Sequence, residues 1–520
     1  MPLYIDRRGL GLLVQANSLA FMIGGYDGNH NFGDILQMIG ALNTLTPFKP
    51  HLTPAVIIEQ NCLVSHRQVL SAWEDSLDGV AFIFFGDHEC ELPDGLIPLP
   101  HLANPTVNIL YAYGGCYFNR RLGDRKQTMI SSLYAWLADS NTDASKIVSL
   151  ITGVQVDEWI LSQTKCGAWL DHSLLLRCRD VDSANILKKR LQHVDLGPDD
   201  AMPPLLKATQ VKNIKQSDES PIRIGVHLNI PSYSVQDGNA QSGLLSSLLQ
   251  DLHTTQSKGI VVVPIYYDED EVLESKYFEA LFAQLHHLDI AIDHAINLGF
   301  GKSVDKLASL DSLLCCSYHI AMSACLSGVR TVLIVSNEYY AQKLNALRQW
   351  FDNSILACLK ISPESSLDPC LVNLGKFLVS GIGISLPTEE TRSEIRQQTE
   401  EHVSIITEVI RSVLLNGMAD LVSEISRAYT HASAEVSRLR SLNSTFLNSA
   451  DKSLRTLQEQ NESIKALQKA NMELTSRFPE INRLYRKYLN RSGWKLGSKL
   501  LWHTTLTSLR RVFMIKRVQR

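Results

Sequence analysis

Two stretches of this sequence carry residue types at spacings fit for chemistry. In the first, the apolar run Asp311-Ser-Leu-Leu-Cys-Cys316 leads at once into Ser317, Tyr318 and His319, then a small-residue stretch ending at Gly328. This reads as strand, polar turn, helix packed close to a sheet, and glycine C-cap. A histidine at the carboxyl end of a strand, where a helix begins, is placed to give or take a proton. The competing reading is a histidine that only satisfies the core. In the second stretch, Leu19-Ala-Phe-Met-Ile23 feeds a glycine loop running from Gly24 through Gly28, Asn31 and Gly33 to Asp34, and helical spacing begins at Ile35. A strand, a glycine turn and a helix start present backbone N–H groups to an anion, and the helix dipole adds to the pull. Asp34 is placed to cap that helix. The spacing matches neither a P-loop nor G-x-G-x-x-G. Alone, the loop marks either a polar ligand at a sheet edge or a turn whose glycines serve backbone geometry.

Three further segments add polar groups. Tyr113-Gly114-Gly115-Cys116 with Asn119, Arg120, Arg121 and Arg125 is a second glycine turn directly after a strand, with arginines able to neutralise an anion or simply to be solvated. Arg177, Arg179, Asp180, Asp182 and Ser183 end another strand before a helix; Ser183 or Asp182 reads as the cap, and Arg179 as a partner for Asp180. Gly197-Pro-Asp199-Asp200-Ala201 is an acidic turn, where capping or turn chemistry is the default.

The elements that position these groups form two blocks of alternating strand and helix. Apolar runs at 19–23, 79–85, 106–113 and 147–156 make the first, and 222–228, 259–267, 311–316 and 331–336 the second. Short, continuously apolar strands between helices imply parallel sheets covered on both faces. The expectation is α/β, with two doubly wound Rossmann-like domains at 1–202 and 221–390, a polar irregular linker at 203–220, and ligands at the strand ends in the cleft between them.

A chain of 520 residues exceeds one ordinary core. Apolar content of 45% and charge of 20% describe a soluble globular protein. The net charge of −4 argues against a general nucleic-acid binder, but it hides a split. Residues 481–520 hold 11 of the 50 Lys and Arg and none of the 54 Asp and Glu, which leaves 39 against 54, a net of −15, elsewhere. Ten cysteines with no CxxC and no zinc-spaced histidine indicate buried thiols in a reducing cytosol, with no metal and no disulfide framework. Arg7-Arg8 and the apolar stretch behind them imitate a leader, but Gln15, Asn17 and Ser18 interrupt it. No run reaches the ~18 apolar residues of a membrane span.

Beyond Pro387 glycine and proline nearly vanish, and 391–480 reads as helical. A heptad register fits from Val422 to Leu474, with twelve of its sixteen a and d positions apolar. Asn443 and Asn471 at a positions favour a parallel homodimer, against the alternative of a helical hairpin folded back. The basic tail 481–520, with Trp494 and Trp502 among lysines, suits an anionic membrane surface or is a solvated tail.

Taken in order, these motifs resemble the polysaccharide pyruvyl transferase family. The resemblance rests on Gly28, Asn31, Gly33 and Asp34; Gly114-Gly115 and Asn119; Thr152-Gly153-Val154-Gln155; Arg179-Asp180 and Ser183; Asp199-Asp200-Ala201; and His319 with Gly328-Val329 and Lys343, across roughly residues 20 to 345. It implies a GT-B-like pair of domains and a transferase that moves pyruvate from phosphoenolpyruvate onto a glycan or lipid-linked sugar as a ketal. His319 would shuttle the proton, and no cofactor or metal is needed. Gly28, Asn31, Gly33, Asp34, Gly114, Gly115, Asn119, Arg120, Arg179, Ser317 and Lys343 would bind substrate. Three residues depart from the pattern: Ser317 stands where the family has arginine, Cys116 replaces a glycine, and Arg330 replaces a proline. Serine cannot supply bidentate charge to phosphate, which leaves Arg179, Arg120 or Lys343 to do so. The implied location is the cytoplasmic face of the inner membrane. Two alternatives stand: a GT-B glycosyltransferase using a nucleotide sugar, and a non-catalytic scaffold of polysaccharide assembly.

Overall fold

The computed structural model describes residues 3–416 apart from 17, 29–30, 50, 60–62, 87–94, 101–106, 115–122, 140–146, 163–169, 210–219, 229–237, 267–270, 361–367 and 380–388, and beyond 416 only 438, 465 and 469. The chain divides into two compact units, Met1–Arg411 and Ser412–Arg520. Both sheets lie in the first.

The first sheet, counted over the described residues, has nine strands: β1 (Leu3–Asp6), β2 (Leu19–Ile23), β3 (Thr53–Glu59), β4 (Ala81–Phe85), β5 (Leu96–Pro98), β6 (Val107–Ala112), β7 (Val148–Val154), β8 (Ser173–Cys178) and β9 (Asp195–Leu196). Their order is β5-β1-β4-β3-β2-β6-β7-β8-β9. From β4 to β9 every pairing is parallel, while β1 runs antiparallel between β4 and β5. All five residues of β2 are buried, as a strand covered on both faces requires.

The second sheet comprises β10 (Ile222–His227), β11 (Ile260–Tyr266), β12 (Ala291–Ile292), β13 (Ile296–Asn297), β14 (Ser312–Cys315), β15 (Arg330–Val335) and β16 (Leu356–Lys360). It is ordered β12-β11-β10-β14-β15-β16, with β13 also on β11 and every pairing parallel. In each sheet the chain winds outward from a central strand, returns, and winds out the other way. The two reversals, between β2 and β6 and between β10 and β14, are the switch points where ligands lodge in open parallel sheets.

One core joins the sheets. Phe32 and Leu36 of the helix Phe32–Leu45, and Met202 and Leu205 of the helix Met202–Ala208, pack with Leu313, Tyr318 and Ile320 of the second sheet's layer. The α/β class and the paired Rossmann-like sheets thus agree with expectation. The start of the stretch read as an irregular linker is different: 202–208 is helical, with proline in its first turn, where a missing N–H costs nothing. The heptads from Val422 to Leu474, the homodimer they imply, and the basic tail with its membrane contact fall outside the described residues. Among the described residues no helix is long and apolar enough to cross a membrane.

Candidate functional site

The two switch points face one another across a buried polar cluster. From the first sheet, the loop after β2 enters the helix Phe32–Leu45. Asn31, not Asp34, caps it: the Asn31 side chain accepts from the Gly33 N–H at 3.1 Å, and the helix starts three residues earlier than the apolar spacing suggests. Asp34 sits in the first turn, half-buried. Gly28 takes a left-handed φ of 100°, so the turn does need a glycine there. From the second sheet, β14 ends at Cys315 and the helix Tyr318–Leu326 begins directly after it. Ser317 is its N-cap residue, yet its side chain makes no capping bond.

His319 lies 8% exposed in this helix's first turn. Its Nε2 is 3.5 Å from Oδ1 of Asp199, and a Cβ on Gly33 would lie 1.8 Å from its Nδ1. Only glycine at 33 lets the first helix approach the imidazole so closely. Tyr318 meets the ring edge-on at 4.9 Å.

Asp199 is fully buried and accepts from Gln37 Nε2 (3.0 and 2.9 Å), Arg179 Nη1 (3.0 Å) and the Ala201 N–H (2.9 Å). Arg179 therefore pairs with Asp199, not with Asp180 as its sequence neighbourhood suggests. It also donates to Gln155 and stacks 4.6 Å above the Tyr318 ring. Asp180 caps the following helix instead, accepting from the Ser183 N–H at 2.7 Å and from the Ser183 hydroxyl at 2.7 Å. Asp200 accepts from the Gly114 N–H (2.8 Å), Thr152 Oγ1 (2.9 and 2.8 Å) and the Tyr111 hydroxyl (3.4 Å). Its own backbone carbonyl presses on Gly40, where a Cβ would lie 1.7 Å away.

The electrostatics separate the two aspartates. Burial pushes Asp199 up, but His319 and Arg179 and its hydrogen bonds outweigh that and hold it below the usual carboxylate range. Burial and the neighbouring Asp199 charge push Asp200 up to about 7, against its hydrogen bonds. Burial lowers His319, which overcomes the opposing pull of Asp199, and Arg179 and Lys343 lower it further. At neutral pH the cluster thus holds a carboxylate at Asp199 beside a neutral imidazole. That pairing is competent to accept a proton, with a fixed negative charge waiting for the imidazolium.

Of the residues chosen from sequence, Gly33, Gly114, Arg179 and His319 meet in this cluster, with Asn31, Asp34 and Ser317 at its helix starts. Gly28 stands in the loop leading to it. Lys343 lies on the helix Glu338–Arg348 with Nζ 4.2 Å from the Tyr339 ring centre. Gly115, Asn119 and Arg120 lie outside the described residues. Sequence reasoning missed Gln37, Tyr111 and His402. Gln37 carried a signal, a single amide inside the apolar helix run Ile35-Leu36-Gln37-Met38-Ile39. His402 arrives from the distant helix Glu389–Asn416, with Nε2 3.9 Å from Asp200 and Nδ1 2.9 Å from Arg177.

No family model matches the chain, and no curated protein matches it. Similar solved structures include the UDP-N-acetylglucosamine 2-epimerase of Methanocaldococcus jannaschii, 10% identical over 75% of this chain and 99% of the other, with a TM-score of 0.41. The enzyme of the same name from Neisseria meningitidis is 12% identical over 74% and 100%, with a TM-score of 0.37. The pneumococcal O-GlcNAc transferase is 8% identical over 78% and 100%, with a TM-score of 0.40. At such identities the likeness concerns the fold alone. These findings correct the resemblance drawn from the motifs. The similar structures are nucleotide-sugar epimerases and glycosyltransferases, and no family model supports a pyruvyl transferase. The reading of phosphoenolpyruvate as donor falls with it. Motifs of glycine, aspartate and asparagine at switch points report a way of holding polar ligands, and many chemistries share it.

Proposed function

We propose that this chain is an enzyme of glycosyl transfer that takes its sugar from a nucleoside diphosphate sugar and uses His319 as the base. The observation that carries the reading is the facing of two switch points across the buried Asp199–His319 pair. The helix Tyr318–Leu326 begins at the second switch point without a side-chain cap from Ser317, so its first N–H groups and dipole suit the diphosphate. Asn31 and Asp34, at the first switch point, supply hydrogen-bonding groups for sugar hydroxyls.

In the reaction, a hydroxyl of the acceptor sugar loses its proton to His319 while its oxygen attacks the anomeric carbon. The bond from that carbon to the diphosphate oxygen breaks, and the electron pair leaves with the nucleoside diphosphate. The carboxylate of Asp199 beside Nε2 stabilises the imidazolium that forms. With the Nε2 proton directed at Asp199, the lone pair sits on Nδ1, the nitrogen that faces Gly33.

Calorimetric titration of the full chain tests the first half of this reading. UDP-N-acetylglucosamine, bound in the archaeal and meningococcal epimerase structures, is the first probe, followed by other nucleoside diphosphate sugars, with phosphoenolpyruvate as a control. Saturable binding of one nucleoside diphosphate sugar, weakened by free nucleoside diphosphate, is the expected result. A folded chain that binds none of them overturns the proposal.

A further inference from the structure

We propose that Asp200 is the proton-holding member of the Asp199–Asp200 pair and that the His402 N–H facing it tunes how firmly it holds that proton, so that the charge beside Asp199 and His319 is set from the helix Glu389–Asn416. Two adjacent buried carboxyls cannot both ionise cheaply. Hydrogen-bond inventory decides which keeps the proton. As placed, Gln37 Nε2, Arg179 Nη1 and the Ala201 N–H all donate to Asp199, and His319 Nε2, 3.5 Å away, faces it with its N–H in the tautomer given above, so a proton there would meet donors. Two of the partners of Asp200 are the hydroxyls of Thr152 and Tyr111, which can accept as well as donate. Asp200 can therefore change its protonation state without leaving a donor or an acceptor stranded.

The tautomer of His402 follows from chemistry. A guanidinium has no lone pair to offer, so Arg177 Nη1, 2.9 Å away, must donate to Nδ1. The neutral ring then carries its hydrogen on Nε2, which has no hydrogen-bond partner and lies 3.9 Å from Oδ1 of Asp200. Burial first, and then Arg177, hold His402 far below the ordinary histidine range, so it presents an N–H and not a cation. The other titratable or charged groups facing Asp200 are Asp199 in the same turn and Tyr111 and Tyr113 at the end of β6; Arg179 and His319 act on it through Asp199. With Asp200 protonated, His319 faces the carboxylate of Asp199 together with the cations of Arg179 and Lys343. Loss of that proton adds a second negative charge and raises the proton affinity of the base.

The inference rests on the proton-transfer role given to His319, but its readout needs no substrate and so stands or falls separately. Infrared spectra of the full chain slightly below neutral pH, where ordinary carboxyls are ionised, should show the carbonyl stretch of a protonated carboxylic acid. Asp200→Asn should remove this band; Asp199→Asn, which takes away the neighbouring charge but not the burial, should keep a band that titrates away at lower pH. Raising the pH well above neutral should abolish it in the wild type, and His402→Phe, which deletes the facing N–H, should let it persist to higher pH. Should Asp200→Asn fail to fold, Thr152→Val decides: it leaves both carboxyls and must move the band. Absence of the band in the wild type overturns the proposal. So does its loss in Asp199→Asn instead of Asp200→Asn, an unmoved band in Thr152→Val, or an unchanged titration in His402→Phe.

Discussion

Gly33→Ala should leave the protein folded and cripple its chemistry. A Cβ at this position would lie 1.8 Å from Nδ1 of His319 and 2.6 Å from Cε1 and Cγ, where ordinary contact begins at 3.4 Å. The imidazole would have to retreat by the difference, about 1.6 Å, from a place fixed by Tyr318 on one side and Asp199 on another. Replacing a helical glycine by alanine gains about 1 kcal/mol of helix propensity, and the overpacking costs about 1–3 kcal/mol. The net is a loss of about 0–2 kcal/mol, so the urea midpoint should fall modestly while the protein stays folded. Misplacing a reacting group by about 1 Å costs about 10²-fold in rate, so release of nucleoside diphosphate should fall at least that far. Gly11→Ala is the control, because nothing lies within 4 Å of a Cβ there, and it should gain stability without touching the rate. Turnover at the wild-type rate in Gly33→Ala would refute the claim that the His319 ring, held where the structure places it, takes part in the reaction.

Three other outcomes follow from the same cluster. Asp199→Asn leaves Arg179 buried without its counter-ion and should destabilise the protein by about 3–5 kcal/mol in urea; because the folded carboxyl of Asp199 lies below its unfolded value, the stability it gives is present above pH ~4 and lost as the pH falls below that. Burial lowers His66 to about 3, His227 to about 4 and His402 well below its ordinary value, so the unfolded chain binds protons that the folded one refuses, and melting temperatures should drop as the pH falls from about 7 toward 4. Asp200 and Asp180, both raised by burial, work the other way, but they are two groups against four, since burial lowers His319 as well, and His227→Gln should flatten the slope; a melting temperature that climbs in acid would contradict this. Gln342→Ala removes the 2.9 Å bond by which the helix Glu338–Arg348 holds Gln155 at the end of the first sheet's crevice, and should cost about 1 kcal/mol of stability by chemical denaturation.

The alternation of apolar runs with helical spacing made the central strands of both sheets legible, because a strand buried on two faces must be apolar throughout, but β3 (Thr53–Glu59) and β16 (Leu356–Lys360) were not read. β2, β6, β10 and β14, which define the switch points, all fall on runs visible in the sequence. The short antiparallel β1, Leu3–Asp6, was not visible, since a strand of four residues has no pattern of its own. Local reasoning paired Arg179 with its neighbour Asp180, whereas the chain brings in Asp199 from twenty residues on. Caps were misplaced in the same way: Asn31 and Asp180 each fit a cap as well as the residues chosen, and only backbone geometry separates them. His402 was out of reach, because nothing in a polar helix near residue 400 announces that it will lie beside an aspartate two hundred residues earlier. The order of the motifs did predict that they would converge. It misled in pointing to phosphoenolpyruvate, because glycine turns and aspartates at strand ends are common to many chemistries.

The central claim is that His319 takes the proton as a nucleoside diphosphate leaves its sugar. The most direct measurement is the rate of nucleoside diphosphate release by the wild type and His319→Ala, with the tightest-binding nucleotide sugar and a pool of glycan acceptors. The account predicts release by the wild type and a fall of about 10²–10⁴-fold in the variant, with donor binding retained. Release at an undiminished rate by His319→Ala would contradict it.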